Sequence, residues 1–393
     1  MTATFHKRDA LPSALVAGGC ALALLLAGAA VPAWSQTAAP MPDVAQKRSV
    51  PAAAAKELVV EQTQPAKASD PNGSDAVAPS FDSRPDTAII PAQSLLQARR
   101  DRGVLFKVTP PPAVPLPAEV ATQPAAAPPA AAAASPPPVR PSYLLGTIHF
   151  GSPEEQGIDY AVLEKVLGET DNFVNEVDVN SAWTPDFDAY RWLPVQTPLE
   201  GMIGKDDMRM AQALLPTVRP QDLQRMKPWA VLALLEARGE SAGDTSMDAR
   251  LQAMAAARGK HLIHLETLQQ QLQALDCVPA GEHAPVLDER LRKSWILRIE
   301  SAEAMAYYRS RNLDAWLASI DRMEGLSDSA RAVEQRSRIC LLEDRNARWI
   351  GPLETVLQDG PSLVAVGAIH LTGNDGLIAR LRRDGYTVEA VPF

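Results

Sequence analysis

Two short stretches of this chain share one pattern, Leu-Gly-Thr-Ile-His149-Phe and Val-Gly-Ala-Ile-His370-Leu, and each follows an apolar run typical of a buried strand. Each histidine therefore falls just past the carboxyl end of a strand, where open α/β sheets place their sites. The glycine three residues earlier, Gly146 or Gly367, lets the backbone turn or approach a neighbour with no Cβ in the way. A single strand-end histidine is ordinarily a hydrogen-bonded cap. Two in one frame, among only six in the chain, point to imidazoles that share a pocket and could ligate a metal.

A two-histidine site needs a third donor. Glu176 lies in the strand-like run 172–179, where a carboxylate is costly unless it is paired with an arginine or bound to a metal. It is the preferred third ligand, and Asp178, of the same parity, is the fallback. Two histidines and one carboxylate with open positions suit Mn, Co, Zn or Fe, and the residues do not choose among them. Glu266 ends the short strand 261–265 and could serve as a further ligand or, as Glu176 also could, as general base on a metal-bound water. His261 and His264 are three apart on that strand, which sends them to opposite faces, so neither receives a role. Arg345, on a helix before the second motif, could hold a site carboxylate or stabilise an oxyanion, or could be an ordinary surface arginine. Gly239-Glu240-Ser241-Ala242-Gly243 matches the Gly-x-Ser-x-Gly of serine hydrolases, yet it follows a helical run where that motif needs a strand, so it reads as a glycine-rich helix end.

Alternating helices and strands must position these groups. Strands are expected at 103–108, 142–145, 172–179, 261–265, 363–369 and 386–391. Helices are expected at 153–167, 207–258 with breaks near Pro216 and 239–243, 268–275, 287–308, 331–357 and 375–383. The fold class is α/β. A central, mostly parallel or mixed sheet has two β-rich halves, each ending in a Gly-x-x-His motif, with a large helical insertion between them.

The amino terminus reads as an export signal over residues 1–35: Lys7 and Arg8, an apolar stretch from Leu11 to Pro32, then Ala33-Trp34-Ser35 for a signal peptidase. The stretch is also long enough to remain as a membrane tether, and the run continues past Cys20, which argues against a lipoprotein. Residues 36–92 are expected to be a disordered Pro/Ala-rich tether, and 110–140 a disordered insertion between the first two strands of a domain spanning 93–393. Beyond the leader only Cys277 and Cys340 remain, either a disulfide or two buried thiols. A net charge of −9 without a basic, aromatic-laced stripe argues against a nucleic-acid partner.

These motifs, in their order, resemble the TraB/GumN family from about residue 100 to the end. The resemblance is carried by Gly-Val-Leu-Phe-Lys-Val, Gly-Thr-Ile-His149, Asn-Glu176-Val-Asp, Lys227-Pro228-Trp229, Leu265-Glu266-Thr267, Arg345-Asn346, Gly367-Ala-Ile-His370 and Gly385-Tyr386. It implies an α/β domain in which His149, Glu176 and His370 form one site with Glu266 and Arg345 nearby, and kinship with the Tiki metalloproteases and with the erythromycin esterase-like and ChaN-like proteins. The chain departs from the family where Leu-Glu-Thr is followed, after Leu268, by Gln269-Gln270-Gln271, a place where an acidic residue before Gln is common, and in the Pro/Ala insertion. The expected activity is an exported metal-dependent hydrolase of peptides or proteins, periplasmic or secreted, and membrane-tethered if the leader is uncleaved. The alternatives are a non-catalytic binding module for a peptide, signal or metal, and a serine esterase through Ser241. Because loop entropy grows slowly with length, a chain lacking 110–140 should unfold as cooperatively as the intact one by circular dichroism. Loss of the transition would show that the segment is structural.

Overall fold

The computed structural model describes residues 102–111, 140–240 and 246–393. The expected leader, the tether, most of the 110–140 insertion and Ser241 lie outside the described residues.

Six strands form one mixed sheet: β1 (Leu105–Thr109), β2 (Ser142–Thr147), β3 (Asn172–Asn175), β4 (His261–His264), β5 (Ser362–Gly367) and β6 (Thr387–Ala390), in the spatial order β4-β3-β5-β2-β1-β6. Neighbours β4, β3, β5 and β2 run parallel, while β1 is antiparallel to both β2 and β6. The sheet is central and mixed, as the patterning indicated. β2 and β5 are buried along their whole length, as parallel strands covered on both faces must be. Parallel pairing puts the carboxyl ends of β2, β3, β4 and β5 on one edge, so the residues just beyond them meet. In the β2–β5 register Gly146 lies opposite Val366 and Thr147 opposite Gly367, so the two glycine-histidine motifs leave the sheet side by side, offset by one residue.

The longer helices are α1 (Tyr160–Glu169), α2 (Lys205–Leu214), α3 (Pro228–Glu236), α4 (Met247–Ala257), α5 (Leu268–Leu275), α6 (Ala280–Arg292), α7 (Ser294–Arg309), α8 (Leu313–Asp321), α9 (Asp328–Arg338), α10 (Asp344–Asp359) and α11 (Leu377–Arg383). The single helix expected at 153–167 is two, because Gly157 turns left-handed at φ 63° and closes a four-residue helix whose start carries a Ser152–Glu155 capping box. The helical region between the β-rich halves is interrupted by β4. The 331–357 helix is α9 and α10 joined by a π-helical turn, Ile339–Glu343. Such turns shift the faces of the flanking helices and often mark functional positions. Close packing locks the second glycine-histidine turn against the first: a Cβ on Gly146 would stand 2.9 Å from the Ala368 Cα. The Tyr308 hydroxyl of α7 donates to the Gly146 carbonyl at 2.8 Å, tying the helical region to the end of β2.

Cys277, just after α5, and Cys340, in the π turn, form a disulfide across 63 residues of sequence. Closing a loop of that length restricts the unfolded chain by about 4 kcal/mol on a chain-entropy basis. Reduction should therefore lower the urea midpoint markedly with little change in far-UV dichroism before unfolding. An unchanged midpoint would show that the bond carries no stability.

Candidate functional site

His149, Glu176 and His370 converge at the carboxyl edge of the sheet. A methyl added to Gly367 would stand 3.3 Å from Glu176 Oε1, 3.4 Å from His149 Nε2 and 3.5 Å from His370 Cδ2, so one small volume is bounded by all three. All are buried, Glu176 and His370 completely.

His149 is oriented by a residue that sequence reasoning missed. Its Nδ1 lies 2.7 Å from Asp248 Oδ2, and the other oxygen of Asp248 accepts from the Thr147 hydroxyl at 2.8 Å. The carboxylate fixes the proton on Nδ1, leaving Nε2 buried at the centre with no partner. Burial disfavours an imidazolium here, but the charge and hydrogen bond of Asp248, helped by Glu176, outweigh it and raise the His149 pKa. Asp248 sits in the first turn of α4, where a carboxylate ordinarily serves only the helix dipole. In the structure Asp248 and Gln252 form a buried polar stripe beside the apolar stripe Met247, Leu251 and Ala255.

His370 is held by Asn346. The Asn346 amide nitrogen donates to the carbonyls of His370 and Asp375 at 3.2 and 3.0 Å, so its Oδ1 accepts from His370 Nδ1 at 2.8 Å. His370 Nε2 therefore carries a lone pair, which faces Arg345 Nη1 at 3.1 Å. Burial and the adjacent guanidinium push the His370 pKa down to about 3, so the two histidines are driven in opposite directions.

Arg345, fully buried, binds the carboxylates. Its Nη2 donates to Glu176 Oε2 and to Glu266 Oε1, both at 2.6 Å, and its Nε donates to Glu266 at 3.1 Å. The guanidinium stacks 4.5 Å from the Trp349 ring centre, and the Trp349 indole donates to Glu266 at 3.3 Å. Glu176 Oε1 accepts from the Gly367 amide at 2.7 Å, and Gln271 reaches Oε2 at 3.3 Å. Burial raises both carboxyls, but Arg345, the imidazoles and that amide bring Glu176 below its ordinary value, whereas burial prevails at Glu266. One shared cation compensates one carboxylate well and the second incompletely.

Among the described residues no three His, Cys, Asp or Glu side chains stand close enough to grip a metal ion. At this centre Arg345 lies among the donors. Their chemistry fits a divalent ion nonetheless: a buried unpartnered imidazole nitrogen on His149, a second lone pair on His370 and a carboxylate on Glu176. Gripping one requires Arg345 to release His370 and leave Glu176 free to bind.

The fallback ligand Asp178 does not join the centre. β3 ends at Asn175, so the parity argument stops there, and Asp178 instead accepts from Gln252 and from the Asn180 amide. Glu266 occupies the Nε/Nη2 edge of Arg345, away from the His370-facing Nη1, and borders an open recess that it shares with Asp178 and His264. His264 bonds Asn175, and His261 is exposed. In the glutamine tract, Gln270 closes a capping box with Thr267 while Gln271 turns to Glu176. Gly239-x-Ser-x-Gly follows helix α3 and not a strand.

Paired strand-end histidines facing a strand-end glutamate across parallel strands define an α/β domain with a built polar centre at the carboxyl edge of its sheet. The chain belongs to the TraB/PrgY/gumN family, whose sequence model matches residues 134–390. No curated protein and no solved structure matches it.

Replacing Arg345 by Met keeps apolar length but leaves Glu176 and Glu266 buried without their cation, which should cost about 3–5 kcal/mol near pH 7. In the variant both carboxyls titrate above their unfolded values, so the folded form binds more protons and the deficit shrinks as pH falls through those raised values. Urea unfolding at pH 7 and pH 5 checks this. An equal deficit at both would show that charge compensation does not set the energy.

Proposed function

We propose that this protein is an exported metal-dependent hydrolase acting on peptides or proteins, with His149, Glu176 and His370 as the metal ligands. The observation that carries the reading is the buried, unpartnered Nε2 of His149 facing the same small volume as Glu176 and His370. Leaving such a nitrogen unsatisfied costs about 1–3 kcal/mol, a cost that a ligand removes. Asp248 behind His149 and Asn346 behind His370 both fix the proton on Nδ1 and present Nε2, the arrangement that metal-binding imidazoles need.

A bound Mn, Co, Zn or Fe ion would supply Lewis acidity, making water a stronger acid near neutral pH. The chain's own groups divide the remaining work. Glu176 or Glu266 offers a carboxylate oxygen to a proton leaving the attacking water. Arg345, still paired with Glu266 once it has released Glu176 and His370, keeps a positive charge beside the centre, suited to an oxyanion developing on a scissile carbonyl. Glu266 keeps that guanidinium in place. The Cys277–Cys340 disulfide suits an oxidising compartment and supports a periplasmic or secreted location, with the chain membrane-tethered if the leader is uncleaved.

Elemental mass spectrometry of the mature protein should find near-stoichiometric metal, lost in His149→Ala and His370→Ala together with peptide hydrolysis. Gly367→Ala, which fills the volume where the three side chains meet, should keep the fold by circular dichroism and lose the metal. A wild-type protein that takes up no ion after incubation with Mn, Co or Zn would sink the hydrolase reading in favour of a non-catalytic binding module.

A further inference from the structure

A cavity of about 140 Å³ lies within the helical region, bounded by α3, α6, α7, α8, α9 and the π turn. It begins where the two glycine-histidine turns end, since Phe150 follows His149 and Ile369 precedes His370, and both line it. Leu232, Trp316, Ile320 and Leu341 continue the apolar wall. A dry cavity of about 150 Å³ is large enough to hold benzene, so this one accommodates a group of roughly five or six heavy atoms.

The wall is not wholly apolar, and its polar groups are unbalanced. Glu236, Glu300 and Glu334 line it, with Arg290, Arg338 and His283. The cations are already engaged. Arg290 donates to both oxygens of Glu300, at 3.0 and 3.1 Å, and to the Glu324 carbonyl. Arg338 pairs with Asp321 and Glu343, both at 2.7 Å. That leaves Glu236 with no ion pair among the described residues and Glu334 with only His283, whose Nε2 lies 3.7 Å from Glu334 Oε2. His283 is 3% exposed, and its Nδ1 is buried without a partner. Burial, reinforced by the charges of Glu334 and Glu300 and opposed by Arg290, pushes the Glu236 carboxyl up to about 8. An added cation is what would restore its ionised form.

We propose that this chamber is a binding site for an alkylammonium group, whose carbon stem packs on Phe150, Leu232, Trp316 and Ile369 while its ammonium donates to Glu236, Glu334 and the free nitrogen of His283. A lysine side chain and a free small amine share this chemistry. Phe150 and Ile369 each adjoin a histidine of the centre in sequence, which makes a lysine of a peptide held there one candidate source. The site itself stands whether or not that centre hydrolyses anything.

Titration calorimetry with n-butylammonium tests it on the full mature chain. Wild type and His149→Ala should bind alike, which separates the chamber from the proposed hydrolase. Glu236→Gln and Glu334→Gln should each weaken binding at least ten-fold while retaining the wild-type melting temperature. Neutral n-pentanol, of similar size, should bind at least ten-fold more weakly than the amine. Undetectable butylammonium binding, binding unaltered in both Gln variants, or equal affinity for pentanol would overturn the proposal. The peptides acetyl-Ala-Lys-Ala-amide and acetyl-Ala-norleucine-Ala-amide identify the source. Preference for the lysine peptide, lost in Glu236→Gln, assigns the chamber to a substrate side chain. Butylammonium bound without that preference assigns it to a free amine and overturns the peptide source.

Discussion

The buried guanidinium of Arg345 joins three of the four strand ends that build the centre. It comes from α10 and reaches the carboxylate beyond β3, the carboxylate beyond β4 and the histidine beyond β5. Two carboxylates at this depth would be untenable without it, and an arginine at this depth would be untenable without them. The energetic consequence is a mutual requirement: three strand ends and one helix must be correctly placed together or not at all. The planar fork suits this role better than an ammonium, because its separate edges can serve Glu266, Glu176 and His370 at once.

Around that cation the two histidines are made unlike. Asp248 raises one, while Arg345 and burial depress the other, so a repeated motif gives two chemically distinct imidazoles. Both nevertheless keep the proton on Nδ1, fixed by Asp248 in one case and Asn346 in the other. The helices therefore do more than cover the sheet. α4 sets His149, α10 sets His370 and the arginine, and α5 brings Gln271 to Glu176. The π turn before α10 carries Cys340 and offers the Leu341 carbonyl to Arg345, so the disulfide sits one residue from a carbonyl that binds the central cation.

Much of this is legible in the sequence. All six strands fall where apolar runs and turn residues put them, and α5 matches residue for residue. The motif repeat pointed to His149 and His370, and a carboxylate at the end of an apolar run pointed to Glu176. Asp248 was not legible, because an acidic residue in a first helical turn is ordinary and its partner lies 99 residues away. Asp178 shows the opposite error. Alternation holds only while the chain stays extended, and β3 stops three residues before it.

By itself, the sequence determined the local elements, the paired histidines and the acidic residues at strand ends, because these follow from periodicity and from the cost of burying charge. Only the tertiary structure decided which of those groups meet. Strand order placed β5 between β2 and β3, which brings His149, Glu176 and His370 around Gly367. It also decided that Arg345 faces inward onto two glutamates and not outward to solvent, that Cys277 and Cys340 pair, and that packed helices leave a chamber beside the histidine turns. The reason is physical: contacts between residues far apart in the chain depend on parallel register and helix packing, and neither is written in any local window.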